Sequence, residues 1–294
     1  MKNTYLFLIL ISFYTHASEL VHLEQSFIQG LENAYAKQVA YALDNGFPVN
    51  QYIYTHRYVP ATKTLFKKTY TPLTYLLAAK ENNEISMISV AAELLAKSSP
   101  TTSDLSGNHP LEMALNQKKL NLAELLLPHT LINFETSQGI QLFNASLEVK
   151  NNAFTKRLLT AYQGNWHQLS PLIIIAIKHN NSEIIAELLN KNINLNGVFF
   201  NLSPLEACIE TNNTDLYRIL VAHGALIEVD GLKGPALLIK TIRNNNFELT
   251  KLLLDAGANS QGLEEYALSH GYSALVELLL PNRNLSITDN GTRL

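Results

Sequence analysis

Residues 203–225 read SPLEACIETNNTDLYRILVAHGA. Proline suits the first turn of a helix, where its missing N–H would have no intrahelical partner, and the preceding Ser203 can cap that helix. The pair Asn212-Asn213 tolerates the left-handed backbone that a tight turn between two helices needs. Gly224 supplies the positive φ that ends a second helix. The stretch therefore predicts two short helices joined by a tight turn.

The same plan recurs along the chain with a period of about thirty-three residues. Other copies open at Thr71-Pro72-Leu73, His109-Pro110-Leu111, Ser170-Pro171-Leu172 and Gly234-Pro235-Ala236. One helix pair cannot bury its own apolar face, so such units are expected to stack on their neighbours. The leucines that close the second helices are predicted to lie between units; they include Leu126, Leu189, Leu253 and Leu279.

These units resemble ankyrin repeats, most specifically in the tails Ala222-His223-Gly224-Ala225 and Asp255-Ala256-Gly257-Ala258-Asn259. The resemblance implies an all-α solenoid of stacked helix-turn-helix units with short β-hairpin loops. About eight units fill residues 19–294, with approximate limits 24–50, 71–100, 109–129, 139–162, 170–196, 203–229, 234–260 and 262–280, and a capping hairpin at 281–294. The fourth unit lacks the Pro-Leu opening, which predicts weaker local packing.

One departure from the family pattern concerns the residue that follows Thr-Pro-Leu. The family usually places histidine there, and this chain has Thr74, Glu112, Ile173 and Glu206 at the matching positions. The hydrogen bonds that the histidine supports are therefore expected to be absent.

The first eighteen residues, MKNTYLFLILISFYTHAS, have the order of a secretory signal peptide: a basic residue, a short apolar run and then small residues. Cleavage is expected after Ala17 or Ser18. The apolar run is too short to span a bilayer of roughly 30 Å, and no stable membrane insertion is expected after its removal. An uncleaved anchor or a buried N-terminal helix is the alternative. The prediction is an exported protein, periplasmic or secreted.

Composition excludes several function classes. The formal charge of −3 and the 16% of charged residues do not supply the basic field of a nucleic-acid-binding protein. Cys208 is the single cysteine, so an intramolecular disulfide and a multi-thiolate zinc site are both excluded. It falls at a small-residue position of a first helix, which favours buried packing over a nucleophilic role.

No set of residues predicts catalysis, and neither a metal site nor a cofactor is expected. The nine histidines are scattered, without an i, i+4 pair, and there is no glycine-rich phosphate loop. His179, His223 and His270 are predicted at helix ends, where a polar or positive group complements the helix C-terminus.

The sharpest candidate for a binding surface is the basic and aromatic insertion between Asn50 and Thr71. Its candidate contact residues are Tyr54, Arg57, Tyr58, Lys67 and Lys68. Tyrosine and arginine often anchor protein interfaces. The alternative is structural, because Tyr52, Tyr54 and Tyr58 alternate as one face of a hairpin that would pack on neighbouring units.

Aromatic, apolar and acidic residues in the other loops complete the candidate surface. They are Trp166, Phe199, Phe200, Asp230 and Leu232. Exposed aromatic side chains at hairpin tips often contact a partner, although each ring could instead fold over the adjacent unit.

These features predict a monomeric, non-catalytic scaffold that binds a protein partner through its concave face and hairpin tips. Two alternatives share the fold: a secreted virulence effector that acts on host proteins, and a structural or stress-protective periplasmic protein. An enzyme that uses Cys208 or a histidine is the third, and reactivity of that thiol would distinguish it.

Overall fold

The computed structural model describes residues 19–59, 64–79, 83–97, 101–228 and 233–280, with residues 56–59 and 64–67 as backbone only. The predicted signal peptide and capping hairpin lie outside these residues. The chain falls into two compact units, Met1–Gln163 and Gly164–Leu294. Their boundary lies between the predicted fourth and fifth repeats.

The first unit contains four helix pairs and one β-hairpin among its described residues. Its elements are α1 (19–32), α2 (Ala36–Asp44), β1 (Ile53–Val59), β2 (Thr64–Tyr70), α3 (Pro72–Ala78), α4 (Glu84–Ala96), α5 (Pro110–Asn116), α6 (Leu120–Leu126), a 3₁₀ turn (Leu127–His129), α7 (Ser137–Glu148) and α8 (Asn152–Ala161). The first helices α3, α5 and α7 pack side by side, and the second helices α2, α4 and α6 do the same. The unit is thus two layers of helices.

The second unit also contains four helix pairs in its described part. Its elements are a 3₁₀ turn (Trp166–Leu169), α9 (Pro171–Lys178), α10 (Ser182–Leu189), α11 (Pro204–Glu210), α12 (Thr214–Ala222), α13 (Lys233–Arg243), α14 (Phe247–Asp255), α15 (Leu263–Ser269) and α16 (Ser273–Leu279). The first helices contact one another in the order α9, α11, α13, α15. The predicted all-α fold of stacked helix pairs is confirmed, while the limits of the repeats stay a prediction.

Capping boxes open two of the first helices. The backbone N–H of Thr71 donates to Thr74 Oγ1 at 2.8 Å, and that of Ser203 donates to Glu206 Oε2 at 2.6 Å. The Thr71 and Ser203 hydroxyls accept in return from the backbone of the same two residues. Thr74 and Glu206 stand where the family has histidine, so these positions supply hydrogen bonds by another route.

The predicted cap at Ser170 is wrong. Ser170 has helical backbone angles because it follows the 3₁₀ turn directly, and its hydroxyl therefore does not cap α9. The hydroxyl instead donates to His167 O at 2.7 Å and accepts from the backbone N–H of Asn194 at 2.8 Å. It ties the start of the repeat to its tail.

The asparagine turns confirm the expected left-handed backbone and add a second role. Asn180, Asn212 and Asn245 have φ of 50°, 55° and 49°. The residue that follows each of them caps the second helix, because its side-chain oxygen accepts a backbone N–H; these caps are Asn181, Asn213 and Asn246. One asparagine therefore forms the turn and the next begins the helix.

The predicted interface leucines Leu126, Leu189, Leu253 and Leu279 are all buried. The fourth helix pair, α7 and α8, does not show the looser core that its missing Pro-Leu opening predicts. Phe143, Phe154 and Leu158 have no exposed surface. Thr136 caps α7 through the backbone N–H of Gly139, so an alternative N-terminal cap replaces the absent motif.

Candidate functional site

The insertion between Asn50 and Thr71 forms an antiparallel hairpin in which Ile53 lies opposite Tyr70 and Val59 lies opposite Thr64. Ile53 and Thr69 are buried, whereas Tyr54 and Lys68 are exposed. The side chains of Arg57, Tyr58 and Lys67 lie outside the described part of the chain. The hairpin thus combines packing with an exposed surface, and its role in partner contact stays a prediction.

A cavity of about 380 Å³ lies between this hairpin, the end of α1 and the end of α3. The rings of Tyr70 and Tyr75 line it with their centroids 5.5 Å apart, edge to face at 71°. The Tyr75 hydroxyl donates to Glu32 Oε1 at 2.7 Å. Burial and the Glu32 carboxylate raise the pKa of Tyr75, which keeps the hydroxyl protonated as a donor.

Sequence reasoning missed this cavity. Glu32 and Tyr75 are 43 residues apart, and neither belongs to a repeat motif. The hairpin brings Tyr70 to the site because β2 leads directly into α3. No local pattern marks residues that meet only through packing.

In the second unit, Phe199 and Leu202 enclose a two-residue turn. The Phe199 N–H donates to Leu202 O at 2.8 Å, and the Leu202 N–H donates to Phe199 O at 3.0 Å. The turn residues Phe200 and Asn201 have φ of 52° and 64°, as a type I′ hairpin turn requires. The Phe199 ring packs on Gly197, where a Cβ would overlap it. Phe200 is 50% exposed.

The next loop is fixed to this one by Asn196. Its Oδ1 accepts from the backbone N–H of Leu226 at 2.8 Å, and its Nδ2 donates to Gly224 O at 3.2 Å. Leu226 is 72% exposed, and Val198 is 62% exposed. Sequence reasoning selected Leu232 as the apolar loop residue and missed both Val198 and Leu226.

The indole ring of Trp166 contacts the side chain of Lys191, which follows α10. The Lys191 ammonium lies 4.7 Å from the centre of the indole, a cation–π contact that joins the start of the repeat to its tail. The ring is half-buried. Asp230 and Leu232, the other predicted loop residues, lie outside the described residues.

The comparison with known protein families gives a match that includes these loops. The family model for ankyrin repeats matches residues 142–231 in three copies. Residues 142–231 are therefore similar to ankyrin repeats. The matched segment includes Trp166, Phe199, Phe200 and Asp230, and no curated protein matches the chain.

Cys208 is buried within α11, inside the segment that is similar to ankyrin repeats. It has no exposed surface, and burial raises the pKa of its thiol to about 12. The predicted packing position is confirmed. His179, His223 and His270 are the C-caps of α9, α12 and α15, also as predicted.

The described residues contain neither a metal-binding cluster nor a membrane-spanning helix. Within those ranges, no group of three or more His, Cys, Asp or Glu side chains could hold a metal ion. No helix in the same ranges is long and apolar enough to cross a membrane.

Proposed function

We propose that the chain is a non-catalytic scaffold that binds a protein partner through the inter-repeat loops of its second unit. Ankyrin repeats generally mediate protein–protein interaction. In this unit three apolar side chains stand exposed on two loops joined by Asn196: Val198, Phe200 and Leu226. Apolar groups displayed together on fixed loops are suited to a partner's apolar surface.

The backbone at Phe200 is the observation that carries this proposal. A bulky residue at φ of 52° is unfavourable by about 1 kcal/mol relative to glycine or asparagine, which tolerate this region. The Phe200 ring is half-exposed, so burial of its apolar surface does not offset the free-energy cost of this backbone conformation. An aromatic side chain kept at a strained and exposed turn is best explained by a contact outside the chain.

The mechanism is rigid presentation. The type I′ turn, the Phe199 ring on Gly197 and the Asn196 bridge fix the loop backbone before a partner arrives. Little conformational entropy is then lost on binding. A buried aromatic anchor flanked by aliphatic contacts is typical of the residues that dominate interface energies.

The test is the substitution Phe200→Asn. Asparagine tolerates the left-handed turn, so we expect the free energy of unfolding to rise by up to about 1 kcal/mol while partner binding falls at least tenfold. Partners are captured from the native organism by chemical cross-linking to the purified chain. Each is then measured quantitatively against the wild type and the variant.

The matched control is Leu268→Ala, which removes exposed apolar surface from α15, a helix that lies outside residues 196–226, where the two loops are. It should leave partner binding unchanged. The proposal fails if every captured protein binds Phe200→Asn as tightly as it binds the wild type.

We also propose that the protein is exported to the periplasm or the medium. The support is the signal-peptide order of residues 1–18 and a cysteine that is buried rather than available for disulfide exchange. Fractionating the native organism and measuring the intact mass tests this. A mass that matches cleavage after Ala17 or Ser18 supports export, and an uncleaved cytoplasmic chain contradicts it.

A further inference from the structure

We propose that the cavity between Glu32, Tyr70 and Tyr75 is a receptor for the guanidinium group of an arginine side chain on a protein partner. The site lies in the first unit and uses none of the loop residues of the second. Its test can therefore fail or succeed independently of the test on Phe200.

The aromatic pair supplies the first element of recognition. The rings of Tyr70 and Tyr75 meet edge to face with their centroids 5.5 Å apart, so neither ring covers both faces of the other. Both rings line the cavity. The face of a tyrosine ring carries negative electrostatic potential and attracts cations. A planar guanidinium also stacks on such a face, which a compact ammonium group cannot do.

Glu32 supplies the second element. It lies at the end of α1, and Tyr75 is its hydrogen-bond donor. None of the lysine, arginine and histidine side chains that the structure describes forms an ion pair with it. One hydrogen bond leaves most of a carboxylate's accepting capacity unused, because its two oxygens offer about four acceptor positions. Among the described side chains, the carboxylate at the rim of this aromatic cavity therefore has a hydrogen-bond donor in Tyr75 but no cation that complements its charge.

The remaining wall is also rich in acceptors. Asn33 donates one Nδ2–H to Gln29 O at 2.9 Å, and its side-chain oxygen can accept a hydrogen bond from a ligand. Thr55 lines the hairpin side of the cavity. A guanidinium has five N–H donors and no acceptor, so the side-chain oxygens of Glu32, Asn33 and Thr55 can all accept hydrogen bonds from it.

Among the basic residues of the hairpin, Lys68 is the one whose side chain the structure describes. It lies directly opposite Thr55 in the strand register, so the two side chains share one face of the hairpin. Lys68 is exposed and forms no ion pair with Glu32. We therefore expect Lys68→Ala to leave guanidinium binding unchanged or to strengthen it.

The experiment uses the full chain and four probes: the capped peptide Ala-Arg-Ala, its citrulline analogue, its lysine analogue and methylguanidine. Citrulline has nearly the same shape as arginine without the charge. Binding is followed by NMR through the ring signals of Tyr70 and Tyr75. The arginine peptide should bind with a Kd of about 1–10 mM, and the citrulline peptide at least tenfold more weakly. The lysine peptide should lie between them.

Variants localise the site. Glu32→Gln should weaken arginine binding about tenfold, and Tyr70→Leu, which keeps the apolar bulk, about threefold or more. The matched control is Glu135→Gln. Glu135 also accepts a tyrosine hydroxyl, from Tyr162 at 3.0 Å in the same unit, but it does not line the cavity. Circular dichroism confirms that each variant is folded.

Three results would overturn the proposal. They are equal binding of the arginine and citrulline peptides, an equal loss in Glu135→Gln and Glu32→Gln, and no binding of any cation at the highest probe concentration. Binding of methylguanidine with exclusion of the arginine peptide would overturn the assignment to a protein side chain and indicate a small free cation.

Discussion

Asn213 Nδ2 donates a 2.7 Å hydrogen bond to Asn180 Oδ1, which lies 33 residues earlier. Asn246 repeats the contact with Asn212 one repeat later, also at 2.7 Å. The asparagine that begins each second helix thus binds the asparagine that forms the turn in the preceding repeat. Turn, cap and inter-repeat contact are made by one residue type.

Replacing Asn213 with alanine should cost more than the loss of a helix cap. The Asn213 side-chain oxygen accepts from the backbone N–H of Leu216 at 2.9 Å, and its amide makes the bond to Asn180. We expect the free energy of unfolding to fall by about 2 kcal/mol, about 1 for the cap and about 1 for the inter-repeat bond. Urea unfolding followed by circular dichroism measures it.

Asn151→Ala is the control for this comparison. Asn151 caps α8 through the backbone N–H of Phe154 at 3.0 Å, and within the described residues its side chain makes no hydrogen bond to another repeat. It should cost about 1 kcal/mol. If both variants lose the same free energy of unfolding, the hydrogen bond between Asn213 and Asn180 contributes nothing to stability.

Glu206 should make stability depend on pH in the acid range. Burial opposes its ionisation, but the backbone N–H of Ser203 and the Lys233 ammonium, 3.0 Å from Oε1, together hold its pKa below the usual 4.5. A depressed pKa stabilises the folded state above the unfolded value, and that stabilisation is lost as pH falls through the folded value.

The variant Glu206→Gln tests this because glutamine still accepts from Ser203 but carries no charge. At pH 7 it should lower the free energy of unfolding by about 1–2 kcal/mol, and the difference from wild type should shrink as the pH falls below about 4.5. Urea titrations at several pH values measure both. A constant difference across the range would assign the loss to packing.

The helix pairs could be predicted from sequence because their determinants are local. Proline at the first turn, paired asparagines and a glycine after the second helix each act within a few residues. Gly224 has φ of 88° and Gly257 has φ of 94°, as the tail motif predicts. Ser170 shows the limit, since the 3₁₀ turn before it changes the backbone angles that capping requires.

The sites could be predicted only in part. Phe200 was identified as a loop aromatic, but its positive φ depends on the pairing of Phe199 with Leu202. Glu32 lies in the first helix pair and Tyr75 in the second, with the hairpin between them in the chain. No spacing of the repeat pattern therefore predicts that the two side chains are in contact. Contacts made by packing carry no local pattern, which is why the cavity could not be predicted.

Gly139 should not tolerate alanine. A Cβ at this position would overlap the carbonyl of Asn133 and the Cα of Phe134, both backbone groups that cannot rotate away. Gly139→Ala should therefore lower the free energy of unfolding by about 2–4 kcal/mol. Thermal unfolding measures it. Gly46→Ala is the comparison: its φ of 93° is strained for alanine but its surroundings are open, so about 1 kcal/mol is expected.

Cys208 should resist alkylation in the native protein. Burial raises its pKa to about 12, and Tyr217, also buried, has its pKa raised to about 12 by burial and by Cys208. The reactive thiolate is thus suppressed, and a reagent reaches the sulfur only when the repeat opens. Iodoacetamide at pH 8 should modify the native chain at least about a hundredfold more slowly than the urea-unfolded chain.

The same raised pKa values make stability fall at alkaline pH. A group whose pKa is raised on folding stabilises the folded state below its unfolded value, and this stabilisation is lost as pH rises from about 9 towards 12. Cys208→Ala removes the thiol's share, so its unfolding free energy should decline less steeply above pH 9 than that of the wild type. Rapid native alkylation, or the same alkaline decline in both proteins, would contradict a buried and protonated thiol.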